Sequence, residues 1–353
     1  MRRERTLVRF ALLCACLLAL SVAARAQDLL PKFDEYAQVA ARAESFSGAI
    51  LVARDGKVLV SKGYGMADME NDVPNTPETR FRLASLTKQF TAAAVMKLVE
   101  ERRLALDDEI GKHLPGLPRE WHGLRVRQLL NHTSGIPDHP VLLPYDLAPD
   151  SVLARAAKEP LASVPGTQWS YGNTGYLVLG LLIEKVSGES YAGYLERAML
   201  RPNGLAATHY CGSGAYATGY ARRDTRVVAM PPTRMAAVYA AGALCSTAGD
   251  LAAWSRALAL GRVVSPESWT RMTTSEGAAR ASHYGYGLIV QPVDGRRVVS
   301  HGGELEGFRT SSAYLPDDGL AVVVLSNLAS QSVTPLLLDI IRVSLAASPP
   351  ARR

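Results

Sequence analysis

The chain has 353 residues, 48% of them hydrophobic, with 39 Lys+Arg against 33 Asp+Glu and a formal charge of +6. That length can bury a sizeable core as one large or two ordinary domains, and the balanced composition excludes a disordered chain. The excess positive charge invites an anionic partner until it is located along the chain.

Residues 1–26 have the pattern of a secretory signal. Arg2, Arg3, Arg5 and Arg9 form a positive start, Phe10 to Ala23 an apolar run, and Ala24-Arg25-Ala26 a small-residue cleavage site. The run is short of the roughly 20 residues that a membrane-spanning helix needs. An uncleaved anchor, a lipoprotein site at Cys16 and a twin-arginine signal at Arg2-Arg3 are weaker readings of the same stretch. Cleavage near Ala26 removes five Arg and one Glu, leaving 34 basic against 32 acidic residues. No basic run interleaved with aromatics remains, so nucleic-acid binding loses its support. The expected product is periplasmic or secreted and has no membrane span; its oligomeric state is left open. Of four cysteines, Cys211 and Cys245 remain, and export permits either a disulfide or two separate buried thiols.

Ser47 to Tyr64 alternates apolar and polar residues around Arg54-Asp55-Gly56, predicting a hairpin. Ser85 to Arg103 has helical spacing. Within it, Ser85 and Lys88 fall one turn apart on one face. A serine hydroxyl attacks a carbonyl only with a base at hand, and a buried, neutral lysine can be that base. The segment 108–170 is rich in Pro, Gly and His, with a short helix over Val126 to Asn131. His113, His122, His132 and His139 lack ligand-like spacing and are expected in surface or structural roles. Tyr171-Gly172-Asn173 places a phenol and an amide two residues apart, just before a helix over Tyr176 to Lys185. Gly188 marks the break before a helix over Tyr191 to Leu200, and Gly249 to Leu260 is another. Strand patterns follow at 286–292, 297–301, 309–315 and 321–326, divided by Asp294-Gly295 and Pro316-Asp317-Asp318-Gly319. The second of these strands runs into His301-Gly302-Gly303, whose glycines allow a substrate to lie near the backbone. Thr334 to Leu345 is a closing helix, and a loose tail covers 349–353.

Early and late strands bracket a helical middle. The expected fold is α+β, with one antiparallel sheet built from both chain ends, flanking helices and a helical insertion at about 85–280 within a single domain over 27–348.

Ser85-Leu86-Thr87-Lys88, Tyr171-Gly172-Asn173 and His301-Gly302-Gly303, in that order, resemble the serine β-lactamase and D-alanyl-D-alanine peptidase superfamily, its class C-like branch above all. Gly63 to Asp68, Phe81 to Ala84, Leu129 to Gly135 and Gly242 to Trp254 also look familial, so the likeness runs from about Ser47 to Asn327. The resemblance implies Ser85 as nucleophile, Lys88 as its base or proton partner and Tyr171 as a further proton carrier. It implies Asn173 on the substrate amide, His301 and Gly303 along the strand-side wall, and the backbone N–H groups of Ser85 and Glu304 as the oxyanion hole. It implies no metal and no organic cofactor. His301 stands where many β-lactamases carry lysine, so carboxylate recognition should be weaker or rest on another residue. The expected activity is hydrolysis of esters or D-amino-acid peptides and amides through an acyl-enzyme. A class C-like β-lactamase and a non-hydrolysing penicillin-binding sensor or inactive scaffold are the alternatives.

Overall fold

The computed structural model describes residues 46–138, 148–212, 216–231 and 234–346. The expected signal segment, the tail and His139 lie outside these. Six strands form the main sheet: β1 (Gly48–Arg54), β2 (Lys57–Tyr64), β3 (Ile289–Val293), β4 (Arg296–Leu305), β5 (Phe308–Leu315) and β6 (Leu320–Ser326). Their order is β3-β4-β5-β6-β1-β2, and every neighbouring pair is antiparallel. The two ends of the chain therefore meet at β1 and β6, in register from Gly48 opposite Ser326 to Arg54 opposite Leu320.

Local chemistry explains the hairpins. Asp55 and Gly56 take φ of 51° and 82°, and Asp294 and Gly295 take 48° and 77°. Two consecutive positive values make the type I′ turn whose twist suits adjoining strands, and Asp-Gly meets its demands at low cost. Both faces of the sheet are covered. Ala49, Leu51 and Ala53 of β1 join one core and Ile50 and Val52 the other, as a period of two requires. β6 is buried at every residue.

The helices are α1 (Thr87–Glu100), α2 (Val126–Leu130), α3 (Pro149–Ala156), α4 (Thr174–Ser187), α5 (Tyr191–Leu195), α6 (Met235–Gly242), α7 (Ala248–Ala259), α8 (Pro266–Met272) and α9 (Thr334–Ala346). α7 packs on β1, β5 and β6, while α9 covers the opposite face through Leu337, Ile340 and Ile341. α1 is enclosed nearly all round, which its Ala92-Ala93-Ala94 run permits by presenting small apolar surfaces on every side. Trp254 of α7 stacks on Phe90 of α1 at 4.0 Å and donates its indole N–H to Gln89 Oε1 at 2.9 Å.

Several expectations shift in detail. The helix expected from Ser85 opens with a single 3-10 turn over Ala84–Leu86, and α1 proper starts at Thr87. The helix expected over Tyr191 to Leu200 gives way after Leu195 to a π-turn, Glu196–Leu200. α3, α6 and α8 were not anticipated, nor was a small sheet of Phe81–Arg82, Leu244–Ser246 and His209–Tyr210. α6 is short and interrupted at Tyr239, whose φ of 33° and ψ of −128° are not helical, so no sustained period marks it. α8 did carry signals, since Ser265 caps it and Pro266 opens it. Cys211 and Cys245 form a disulfide with a Cα separation of 5.2 Å, which settles the choice left open above.

Candidate active site

The nucleophile candidate sits on a turn held from three sides. Ala84, immediately before Ser85, has φ +52°, a left-handed conformation that costs a non-glycine residue of order 1 kcal/mol. The turn is fixed by Leu83 N–H to Leu244 O at 2.8 Å and by Thr310 Oγ1 donating to Leu83 O, also at 2.8 Å. The third tie is Gly303 of β4. A Cβ there would lie 2.3 Å from Leu83 O and 3.1 Å from Ala84 Cβ. The glycine is thus demanded by the chain's own packing. At Gly302, by contrast, the nearest atom to such a Cβ is Thr310 O at 3.6 Å.

Lys88 is fully buried beneath Ser85. Its Nζ lies 3.0 Å from Ser85 Oγ, 2.8 Å from Asn173 Oδ1 and 3.1 Å from Ala241 O. The two carbonyl oxygens can only accept. A neutral amine therefore spends its two N–H groups on Asn173 and Ala241 and turns its lone pair to the Ser85 hydroxyl. Burial favours that neutral form, bringing the Lys88 pKa from 10.5 down to about 7, with Asp138 pulling the other way. The orientation of the Asn173 amide is set by this network, because its N–H₂ end would face the lysine's own donors.

Tyr171 closes the group. Its ring centre is 4.9 Å from Lys88 Nζ, and its hydroxyl faces Ser85. The residue is 37% exposed, so solvent reaches the ring, while desolvation of the phenolate raises the pKa well above its ordinary value. The four residues Ser85, Lys88, Tyr171 and Asn173, distant in sequence, are brought into one cluster.

The strand-side wall differs from a simple substrate-facing histidine. His301 is 4% exposed. Its Nδ1 is 2.6 Å from Gly302 O, which can only accept, so Nδ1 carries the proton and Nε2 accepts from Tyr284 O–H at 3.0 Å. Burial and the nearby Lys88 hold its pKa down at about 4, so the ring is neutral at pH 7. No fixed positive charge stands at this position.

The backbone beside it can be read from the ladder. Leu305 and Phe308 close a two-residue turn, and Val293 and Arg296 close another. In an antiparallel ladder hydrogen-bonded and non-bonded pairs alternate. Counting from either turn, Glu304 directs its N–H away from β5, towards the edge that β3 covers only as far as Ser300. That edge adjoins the Ala84–Leu86 turn.

Three contributors escaped the sequence reading. Asp138 Oδ1 accepts from the N–H groups of Asn173 at 2.7 Å and Thr174 at 3.1 Å, and from Thr174 Oγ1 at 3.2 Å, so it caps α4 and fixes Asn173. The Ala241 carbonyl has no sequence signature at all. His132, expected in a surface or structural role, is buried among Tyr171, Tyr176 and Tyr284, with ring centres 4.5, 5.1 and 4.7 Å away. Its Nδ1 accepts from Gly172 N–H at 3.4 Å, and burial keeps it neutral. The Asn131 to Gly135 stretch had marked it, although nothing there specified an aromatic box. No group of three His, Cys, Asp or Glu able to hold a metal occurs among the described residues, and no described helix is long and apolar enough to cross a membrane.

Comparison with known proteins decides the family. The family model described as Beta-lactamase matches residues 33–342. The chain belongs to the beta-lactamase family. That family is one of serine hydrolases. Protein flp of Staphylococcus aureus (strain MRSA252) is 30% identical over 308 residues, which cover 82% of this chain and 61% of that relative. The chain thus spans about three fifths of the length of such curated relatives. The structure of the octameric penicillin-binding protein homologue from Pyrococcus abyssi superposes with a TM-score of 0.80 at 31% identity, covering 90% of this chain and 77% of that one. A D-stereospecific amidohydrolase from Streptomyces gives 0.74 at 27% identity, covering 90% and 99%. This member of the family therefore shares its mixed architecture, with a large antiparallel sheet built from both chain ends, with penicillin-binding and amide-hydrolysing proteins.

Proposed function

We propose that this beta-lactamase-family chain is an exported serine hydrolase that works through an acyl-enzyme on esters and D-amino-acid amides or peptides. One observation carries the reading: a buried Lys88 amine whose two carbonyl partners leave its lone pair for Ser85. In the proposed reaction Lys88 Nζ takes the Ser85 proton while Oγ attacks the substrate carbonyl carbon. The backbone N–H groups of Ser85 and Glu304 receive the developing oxyanion, and one such donor is commonly worth about 2.7–4 kcal/mol in the transition state. The proton then passes to the leaving group through Lys88 and Tyr171, and water later releases the acyl group by the reverse sequence. Asn173 holds both Lys88 and the substrate amide, and Gly303 lets the strand wall approach.

The substrate class rests on two supports. A neutral His301 supplies no cation for a substrate carboxylate, which favours esters and amides over substrates that depend on that charge. The amidohydrolase of the same fold from Streptomyces is in keeping with amide cleavage. Export is supported by the Cys211–Cys245 disulfide, which an oxidising compartment allows to persist, and by the pattern of residues 1–26.

A panel of short chromogenic esters, D-amino-acid amides, D-Ala-D-Ala peptides and nitrocefin, run with the wild type and Ser85→Ala, tests the reading. Ester or D-amide turnover should fall at least about a thousandfold in the variant. Fast nitrocefin turnover with inert esters and amides would instead make the protein a β-lactamase. A stable β-lactam adduct with no turnover of any substrate would make it a sensor.

A further inference from the structure

A second site lies away from Ser85. Helix α7 faces the sheet through Ala252 and Ala257, side chains too small to close the gap, with Gly249 and Ala253 at the exposed lip. A cavity of about 410 Å³ results, walled on the sheet side by Leu51, Ala53 and Ala321. It occupies the far end of β5 from the nucleophile turn. Thr310 of that strand bonds Leu83, whereas Tyr314 lines the cavity about 13 Å further along.

The cavity wall is mixed: leucine and alanine side chains form its floor, and Asn203, Arg256, Arg262 and Tyr314 bring polar groups to it. Tyr314 is 5% exposed, and its hydroxyl has no hydrogen-bond partner among the described residues. The hydroxyl opens onto the cavity and is free to donate to a molecule held there. Within electrostatic reach of that hydroxyl is the half-buried guanidinium of Arg256. It lies over the β1–β2 turn, where a Cβ on Gly56 would be 3.1 Å from its Nε. No carboxylate pairs with Arg256 among the described residues. Arg262 adds a second, exposed guanidinium to the lining. Asp55, on the same turn, is the acidic group that acts on Tyr314.

We propose that this cavity binds a small monocarboxylate with a compact apolar body. The carboxylate bridges Arg256 and the Tyr314 hydroxyl, with Arg262 at the mouth, and the hydrocarbon part rests on Leu51, Ala53 and Ala321. Guanidinium and phenol are both donors matched to a carboxylate, and Asp55 disfavours dianions. The polar end thus selects for charge, and the alanine-lined body selects for size.

The inference is independent of the reaction at Ser85. It is tested by calorimetric titration of the full-length Ser85→Ala protein with phenylacetate and with neutral phenylacetamide. Saturable one-to-one binding of phenylacetate is expected, with at least about tenfold weaker binding of the amide. Arg256→Gln and Tyr314→Phe should each weaken phenylacetate by a similar factor, and Arg256→Lys should restore part of the loss. Ala253→Trp, at an exposed position on the lip, should block binding while leaving the melting temperature unchanged. Absence of saturation up to about 50 mM, equal binding of acid and amide, or binding untouched by both Arg256→Gln and Ala253→Trp overturns the proposal. Loss of binding in Asn173→Ala, with Arg256→Gln silent, would place the ligand at Ser85 and also overturn it.

Discussion

An amine enclosed by protein and facing two carbonyl oxygens has a lone pair to offer only while it stays unprotonated. With its pKa brought to about 7 by burial, Lys88 is half neutral at that pH and protonated below it. The value of kcat/KM for a non-titrating ester should therefore rise through about pH 7 and level off above it. Asp138 stabilises the charged form of Lys88, so its removal favours the neutral one. Asp138→Asn should move the acid limb to lower pH; a limb that stays or moves upward contradicts the assignment of Lys88 as the base. At this scale the sequence was informative where the chemistry is local. Ser85 and Lys88 share a helical turn, and Tyr171 and Asn173 share a loop. Asp138, 35 residues before Asn173, and the Ala241 carbonyl become visible only when the chain has folded, because neither leaves a pattern of spacing or residue type.

The elements owe their positions to a few close approaches. β4 reaches the nucleophile turn because Gly303 has no side chain, whereas a Cβ on Gly302 would meet only Thr310 O, at an ordinary contact distance of 3.6 Å. Gly303→Ala should push the strand from Leu83 and Thr310, lowering stability by about 1–3 kcal/mol and kcat/KM by more than about tenfold. Gly302→Ala should leave the denaturation midpoint near that of the wild type. Equal midpoints for the two variants would refute the packing argument. Strands were legible because alternation and Asp-Gly turns are strong local signals, and both type I′ hairpins appear where those residues stand. The one histidine of the box, His132, was not, since its aromatic partners come from residues 171, 176 and 284.

Across the whole molecule, the segment around Ala241–Ser246 joins the nucleophile turn to the body of the fold. Leu244 bonds Leu83 and Thr87, Ser246 pairs with Phe81, and the disulfide ties Cys245 to Cys211. Closing a loop of 34 residues removes unfolded-state entropy worth about 3–4 kcal/mol. The Cys211→Ser, Cys245→Ser protein should lose stability of that order in urea titration, and an unchanged midpoint would show the bond to be idle. The union of both chain ends in one sheet was readable from the bracketing strand patterns, whereas the disulfide pairing was one of two open readings. The central claim is that Ser85 carries the acyl group. Rapid acid quench of the wild type with a p-nitrophenyl ester, followed by intact-mass and peptide mass spectrometry, reads this directly. The account predicts an adduct of one acyl mass confined to the peptide containing Ser85 and absent from Ser85→Ala. An adduct on another residue, or ester turnover at the wild-type rate in Ser85→Ala, would contradict it.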